Sequence, residues 1–222
     1  AGTFGNPGTL FNYTAPAWVP DQSGYALMFD GVDDYVELAA NGGMPFYSGF
    51  GEAFTISFWV NGNPTDDDRV LALSNSTSGT PLVAFGTGRT SLGNEAKFQL
   101  FRRSDADVEY GSVYSNADVF DNTWHQVTYV EHSSFARIYV DGQLDTSFPI
   151  ATGTQFVTVD LVALGAIYRP SNATPLCCNW SGMIDNLQIY GYAASTADVA
   201  TLFAGGLLVA GLAPDMQWLI VG

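Results

Sequence analysis

Between Phe54 and Val60 the chain alternates at every step. Phe54, Ile56, Phe58 and Val60 face one way, and Thr55, Ser57 and Trp59 face the other. A period of two belongs to a strand with one face in a core, since a helix would scatter the same residues around its axis. Shorter runs of the same kind recur along the chain. They predict strands at Tyr25–Phe29, Tyr35–Leu38, Arg69–Ser74, Pro81–Phe85, Lys97–Arg102, Glu109–Tyr114, Trp124–Glu131, Ala136–Val140, Gln143–Phe148, Val162–Ala166 and Met183–Tyr190. Asp141-Gly142 separates two of them and predicts a type I′ hairpin. Residues 61–68 and 75–80 read as exposed loops. Only Ser195–Phe203 reads as helix, with Ser195 and Asp198 spaced as a capping box. Many strands without strand–helix–strand alternation predict an all-β, two-sheet antiparallel sandwich with one short C-terminal helix.

A chain of 222 residues, 47% hydrophobic and 14% aromatic, can fill one large sandwich core. Its formal charge is −15, with Lys97 the only lysine, so a phosphate backbone would be repelled and nucleic acid is excluded as a partner. Asp dominates the acids, and Asp both caps turns and ligates hard cations. No apolar run is long enough for a transmembrane segment. The first residue, Ala1, suits a processed secretory leader and so an extracellular or cell-surface location. The sequons at Asn12, Asn75, Asn172 and Asn179 are candidate glycosylation sites. Cys177 and Cys178 are adjacent and allow either a vicinal disulfide or two free thiols; they lack metal-binding spacing. Residues 21–205 form the expected body, 1–20 an extended N-terminal segment, and 206–222 an apolar end that must pack on its own domain or on a neighbouring subunit.

Six short segments, in order, resemble the bacterial form of the laminin G-like (LamG) group of concanavalin A-like jelly rolls. They are Ala26–Gly31 running on to Tyr35-Val36, Phe54–Val60, Trp124–Tyr129, Arg137–Gly142, Ala163–Gly165, and Ser181–Tyr190 followed by Ala193–Ser195. The resemblance covers residues 25–205 and implies a jelly roll. It also implies a calcium ion, Ca2+, that links the N-terminal part to a late strand. By that resemblance Asp185 is the late-strand ligand, and the turn at Asp30, with Asp33 or Asp34, supplies the opposite ligands. Alternatively Asp30 and Asp34 only cap their own turn. The run Asp66-Asp67-Asp68 reads as a solvated loop or as a second cation site.

Carbohydrate ligands stack on aromatic rings while polar side chains take their hydroxyls. Candidate contacts are Trp59, Tyr110, Trp124 and Trp180, with Arg102, Arg103 and Arg169 nearby in sequence. Trp59 shares the Thr55 and Ser57 face, which would make that face the ligand-facing concave sheet. Trp59 and Trp124 also stand where the family commonly has Trp, which implies a structural role. Trp180 is outside that pattern and is a candidate rim contact. Glycosidases on this fold need paired carboxylates. Here Glu37, Glu52, Glu95, Glu109 and Glu131 are scattered, and His125 and His132 do not form a zinc motif, so an enzyme is not expected. Two functions remain in view. One is a secreted, non-catalytic carbohydrate-binding or adhesive module with a structural calcium, its partner a glycan or surface polysaccharide. The other is a self-assembling subunit of an extracellular filament or surface layer, its partner copies of itself in a homopolymer.

Overall fold

The computed structural model describes residues 8–14, 17–21, 24–38, 53–80, 82–132, 134–150, 159–170 and 176–208, and the backbone of 217–220. Two antiparallel sheets face each other. The first has seven strands, in the order β1 (Gly8–Phe11), β4 (Tyr35–Leu38), β13 (Leu161–Leu164), β6 (Arg69–Ser74), β7 (Leu82–Thr87), β8 (Lys97–Arg103) and β9 (Glu109–Asp118). The second runs β12 (Gln143–Pro149), β11 (Phe135–Val140), β10 (His125–His132), β5 (Phe54–Gly62), β16 (Ser181–Tyr190), β3 (Tyr25–Asp30) and β2 (Trp18–Pro20). β17 (Gln217–Ile220) joins it by pairing with β16 of the same chain. A short hairpin of β14 (Ile167–Tyr168) and β15 (Leu176–Cys177) lies apart, and α1 spans Thr196–Phe203.

The alternation in the sequence becomes the core. Ile56, Phe58 and Val60 of β5 meet Leu71, Leu73, Phe85, Phe98 and Leu100 from the opposite sheet in one buried cluster. Fully burying each such side chain contributes about 1.5–3 kcal/mol. The Asp141-Gly142 hairpin forms with both residues at positive φ, 51° and 74°, as a type I′ turn requires. Ser195 caps α1 in a capping box with Asp198. Val199 and Leu202 of α1 pack with Val130, Tyr139 and Tyr190 on the outer face of the second sheet.

That helix corrects the expectation of an open ligand-facing surface at Thr55 and Ser57. The Thr55 hydroxyl donates to the Tyr192 carbonyl and accepts from the Ala194 amide, both at 2.8 Å. Ser57 is hydrogen-bonded to Thr128 and Gln126. Both residues are buried, and the chain leading into α1 closes over Thr55. Residues 8–11 and 18–20, read from sequence as part of an extended segment outside the body, are edge strands of the two sheets. Pro81, at the start of one predicted strand, lies outside the described residues.

Trp180 is also a correction. It is 0% exposed and is a core residue, not a rim contact. Its ring lies 5.2 Å from Phe120 and fills the space left by two glycines. A Cβ at Gly62 would overlap the indole, and one at Gly182 would lie 2.7 Å from it. Trp180→Ala is therefore expected to lower stability by about 3–5 kcal/mol in denaturant titrations. Gly62→Ala should cost about 1–3 kcal/mol by overpacking the same contact.

Candidate functional site

The turn after β3 gathers three carboxylates. The ligand-capable oxygens of Asp30, Asp33 and Asp34 lie within 4.8 Å of one another. The turn folds back because Gly31 takes φ +77° and because Asp30 Oδ1 accepts the Val32 and Asp33 amides at 2.8 and 3.3 Å. Asp34 Oδ2 accepts the Asp30 amide at 3.0 Å. Two sequon asparagines brace the turn from outside. The Asn12 amide donates to the Asp33 carbonyl at 3.0 Å, and the Asn179 amide donates to the Val32 carbonyl.

The three acids are not equivalent. Backbone N–H groups, Val32 first, hold the exposed Asp30 carboxyl below its usual range. Burial, and then the charges of Asp30 and Asp33, push Asp34 up despite the amide it accepts. Asp34 is 6% exposed, and its Oδ1 is buried without a hydrogen-bond partner. The Tyr13 hydroxyl is likewise buried without a partner, and it is raised by burial and then by the charges of Asp34 and Asp30. Two such oxygens beside a cluster of acids could hold a hard cation.

Asp185 does not share that cluster. On β16 it is Ser181 that pairs with Asp30, and Ile184 pairs with Leu27. Asp185 is four residues along the strand from Ser181, roughly 13 Å at strand rise. One ion with ligands at about 2.3–2.6 Å cannot join both. Of the implied ligands, the structure therefore brings Asp30 and Asp34 together, with Asp33 beside them, and leaves Asp185 apart.

Asp185 sits instead at a bulge. The pairing of β16 with β5 shifts register between Asp185 and Gln188, and Asn186 turns left-handed at φ 49°. Both Asp185 oxygens accept N–H groups of Asn186, at 2.7 and 2.8 Å. The bulge opens a cavity of about 230 Å³ at the C-terminal end of α1, where Trp59, Trp124 and Phe203 meet Asp21, Asp185 and Asn186. Trp59 stacks on Phe203 with ring centroids 5.6 Å apart. Apolar rings beside fixed hydrogen-bonding groups make a surface suited to an amphipathic ring such as a sugar.

A laminin G model of the concanavalin A-like lectin/glucanase superfamily matches residues 30–200. The chain belongs to this superfamily. No curated protein sequence matches it. Among solved structures, the binding domain of botulinum neurotoxin serotype D superposes with a TM-score of 0.62 at 13% identity, over 90% of this chain and 47% of that one. The binding domain of botulinum neurotoxin DC, solved in complex with SialylT, gives 0.62 at 16% identity over 90% and 46%. Domain 4 of AbnA, a GH43 extracellular arabinanase from Geobacillus stearothermophilus solved with arabinotriose, gives 0.60 at 17% identity over 88% and 87%. The chain spans a little under half of the toxin chains, and at these identities the likeness establishes the fold.

The other predicted contacts do not converge on this superfamily member's aromatic cavity. Arg102 is buried, its guanidinium 5.4 Å from the Phe148 ring, and is a core residue rather than a surface contact. Tyr110 packs half-buried against the main core. Arg169 lines a different cavity, on the other sheet. Asp67 of the acidic run pairs with Arg69 and Arg89, and Asp66 accepts the Thr90 amide at 2.8 Å. The sulfurs of Cys177 and Cys178 lie 3.1 Å apart, in hydrogen-bond contact. Asn75 is 7% exposed, and its Oδ1 accepts from Thr77 and Ser78, so a glycan there would need this turn opened. Asn172 lies outside the described residues. Sequence reasoning missed Asp21, Asn186 and Phe203; the Asp-Asn pair, tolerant of left-handed backbone, was the available sign of the bulge.

Because Asp34 has its folded value raised, its ionisation costs stability at neutral pH, and that cost vanishes as pH falls through the folded value. In metal-free buffer Asp34→Asn should therefore melt above the parent at pH 7. The gap should close on acidification, as read by calorimetry from pH 7 to pH 3.

Proposed function

We propose that this chain is a non-catalytic carbohydrate-binding module that works outside the cell, stabilised by a calcium ion at the Asp30–Asp34 turn. The observation that carries the reading is the cavity in which Trp59 and Trp124 stand beside Asp21, Asp185 and Asn186. A sugar ring stacks its apolar face on an indole and turns its hydroxyls to carboxylate and amide groups. Asp185, held by two N–H groups, is arranged as a fixed acceptor for such hydroxyls. An arabinotriose-bound domain among the structural neighbours supports the same class of ligand.

Calcium suits the turn because it takes six to eight oxygens, carbonyls and waters included, in irregular geometry. Asp30, Asp33 and Asp34 would hold it, with Asp34 Oδ1 gaining the partner it lacks. The ion would supply no chemistry beyond neutralising these acids and fixing the turn between β3 and β4.

Two measurements test the two halves. In affinity gels with a panel of neutral polysaccharides, including arabinan, the chain should be retarded by at least one, and Trp124→Ala should weaken that retardation about tenfold. No retardation by any would sink the glycan reading. Calcium at a hundred times its Kd should add about 2.7 kcal/mol, or about 5–10 °C in Tm for a chain of this size. Asp34→Asn should lose that gain. A Tm indifferent to calcium and to thorough chelation would remove the ion.

A further inference from the structure

The chain has seven basic Lys and Arg residues, and four of them line one cavity. Arg69, Arg89, Arg103 and Arg169 surround about 320 Å³ on the outer face of the seven-stranded sheet, with Glu109 the only acid among the described residues of its wall. On a chain of net charge −15, this concentration is out of proportion to the surface as a whole.

The cavity is built rather than incidental. Arg69 opens β6, pairs in register with Gly86 of β7, and Gly86 pairs with Gln99 of β8. The Arg69 side chain spans that glycine row and donates from Nη1 to Gln99 Oε1 at 2.8 Å. Gln99 Nε2 donates in turn to Ser112 Oγ at 2.7 Å and Tyr114 Oη at 3.3 Å. Arg69 is 1% exposed, and its Nε is buried without a partner. Phe101 and Arg103 project from the same face of β8, beside Ser112 and Glu109 of β9.

The internal charges do not balance. Asp67 serves both Arg69 and Arg89, the latter at 3.6 Å from Nε. Arg103 is met by Asp107 and Glu109 at 3.4 and 3.8 Å, both exposed acids in water. Among the described residues no carboxylate pairs with Arg169, and its Nε is buried without a hydrogen-bond partner. Burial is what most disfavours the Arg69 charge, and Arg169 lies near enough to add a smaller repulsion. Two like-charged guanidinium groups with unused buried donors are stabilised by an anion between them.

We infer that this cavity is a second ligand site, separate from the aromatic one, that takes a single carboxylate or sulfate group of an acidic saccharide. The guanidinium forks match either oxyanion in bidentate geometry. Ser112 and Tyr114 offer hydroxyls, and Phe101 and Leu92 an apolar wall, for the ring that carries the charge. The net −15 repels densely charged polymers, so the ligand bears isolated anionic groups. The saccharide part rests on the glycan-binding reading above, whereas the anion part rests on the cavity alone.

Calorimetric or NMR titration with galacturonate, galactose 6-sulfate, galactose and sodium sulfate tests this. Galacturonate, the sulfated sugar or both should bind, and which of them binds identifies the source of the charge. Galactose should not perturb the cavity. Arg169→Gln should weaken binding about tenfold, the loss expected of one charge-assisted pair. Arg89→Gln, whose parent side chain is 50% exposed, should weaken it without endangering the fold. Arg137→Gln makes the same change of charge outside the cavity and should leave affinity unchanged. Equal affinity in the parent, Arg169→Gln and Arg89→Gln would overturn the inference. Sodium sulfate binding as tightly as both sugars would overturn its saccharide part. Binding lost in Trp59→Ala but kept in Arg169→Gln would sink this site and leave the glycan reading standing. Binding that depends on Arg169 in a protein that no neutral polysaccharide retains would do the reverse.

Discussion

Strand β16 pairs with β3 along its first half, with β5 along most of its length, and with β17 along its second half. It thereby ties residues 25–30, 54–62 and 217–220 into one sheet, and none of these segments is near it in sequence except the last. Such pairing is costly to assemble, because long loops must close before any contact rewards them. What it gives in return is position. The acidic turn hangs from one end of the β3–β16 pair, the bulge at Asp185 lies just past its other end at the middle of β16, and α1 follows from the far end of β16 across the sheet. A shift of one residue in this register would move the whole β16 core set, Ile184, Leu187 and Ile189, to the wrong face. Trp180, wedged over Gly62 and Gly182 just before β16, opposes that slip, since a side chain brought to either glycine position would meet the indole.

The two sheets share one apolar core, so anything specific must be carried on their outer faces. On the outer face of the second sheet α1 packs over Val130, Tyr139 and Tyr190, and the aromatic cavity lies at the helix end. The first sheet carries the short β14–β15 hairpin over Ala72, Ala84 and Phe101, and the arginine cavity beside it. Each cavity therefore borders an addition to the sandwich. Jelly rolls with different additions carry different ligands on the same frame, and this is why membership of the superfamily does not choose the ligand.

Much of the frame was legible because strands announce themselves by local alternation. The Phe54–Val60 run, the Asp141-Gly142 turn and the Ser195–Asp198 cap are each decided within ten residues. The edge strands at 8–11 and 18–20 were not legible, since edge strands are short and need no alternating pattern. The sites were less legible still. Trp180 looked like a surface contact because nothing local shows that two glycines, one of them 118 positions earlier, vacate its place. Asp185 and Asp30 looked like partners because the family pattern names them together, but the register sets them apart. Arg102 and Arg103 are neighbours in sequence and opposites in space, one in the core and one in a cavity, because successive strand residues face opposite ways.

The arginine cavity shows how far such distance can reach. Its four cations come from positions 69, 89, 103 and 169, on β6, a connecting loop, β8 and the segment after β14. In sequence they are isolated charges in a chain dominated by Asp. In the fold, Gly86 leaves the row open, Gln99 fixes the first guanidinium, and Asp67 meets only part of the charge. Asp66-Asp67-Asp68, which reads as a solvated acidic run, thus has one member that organises a basic site. Removing Asp67 would release Arg69 and Arg89 from each other and leave the buried Arg69 charge uncompensated. The acid is therefore what permits so many cations to stand together, and the charge it leaves unmet is what an anionic ligand would use.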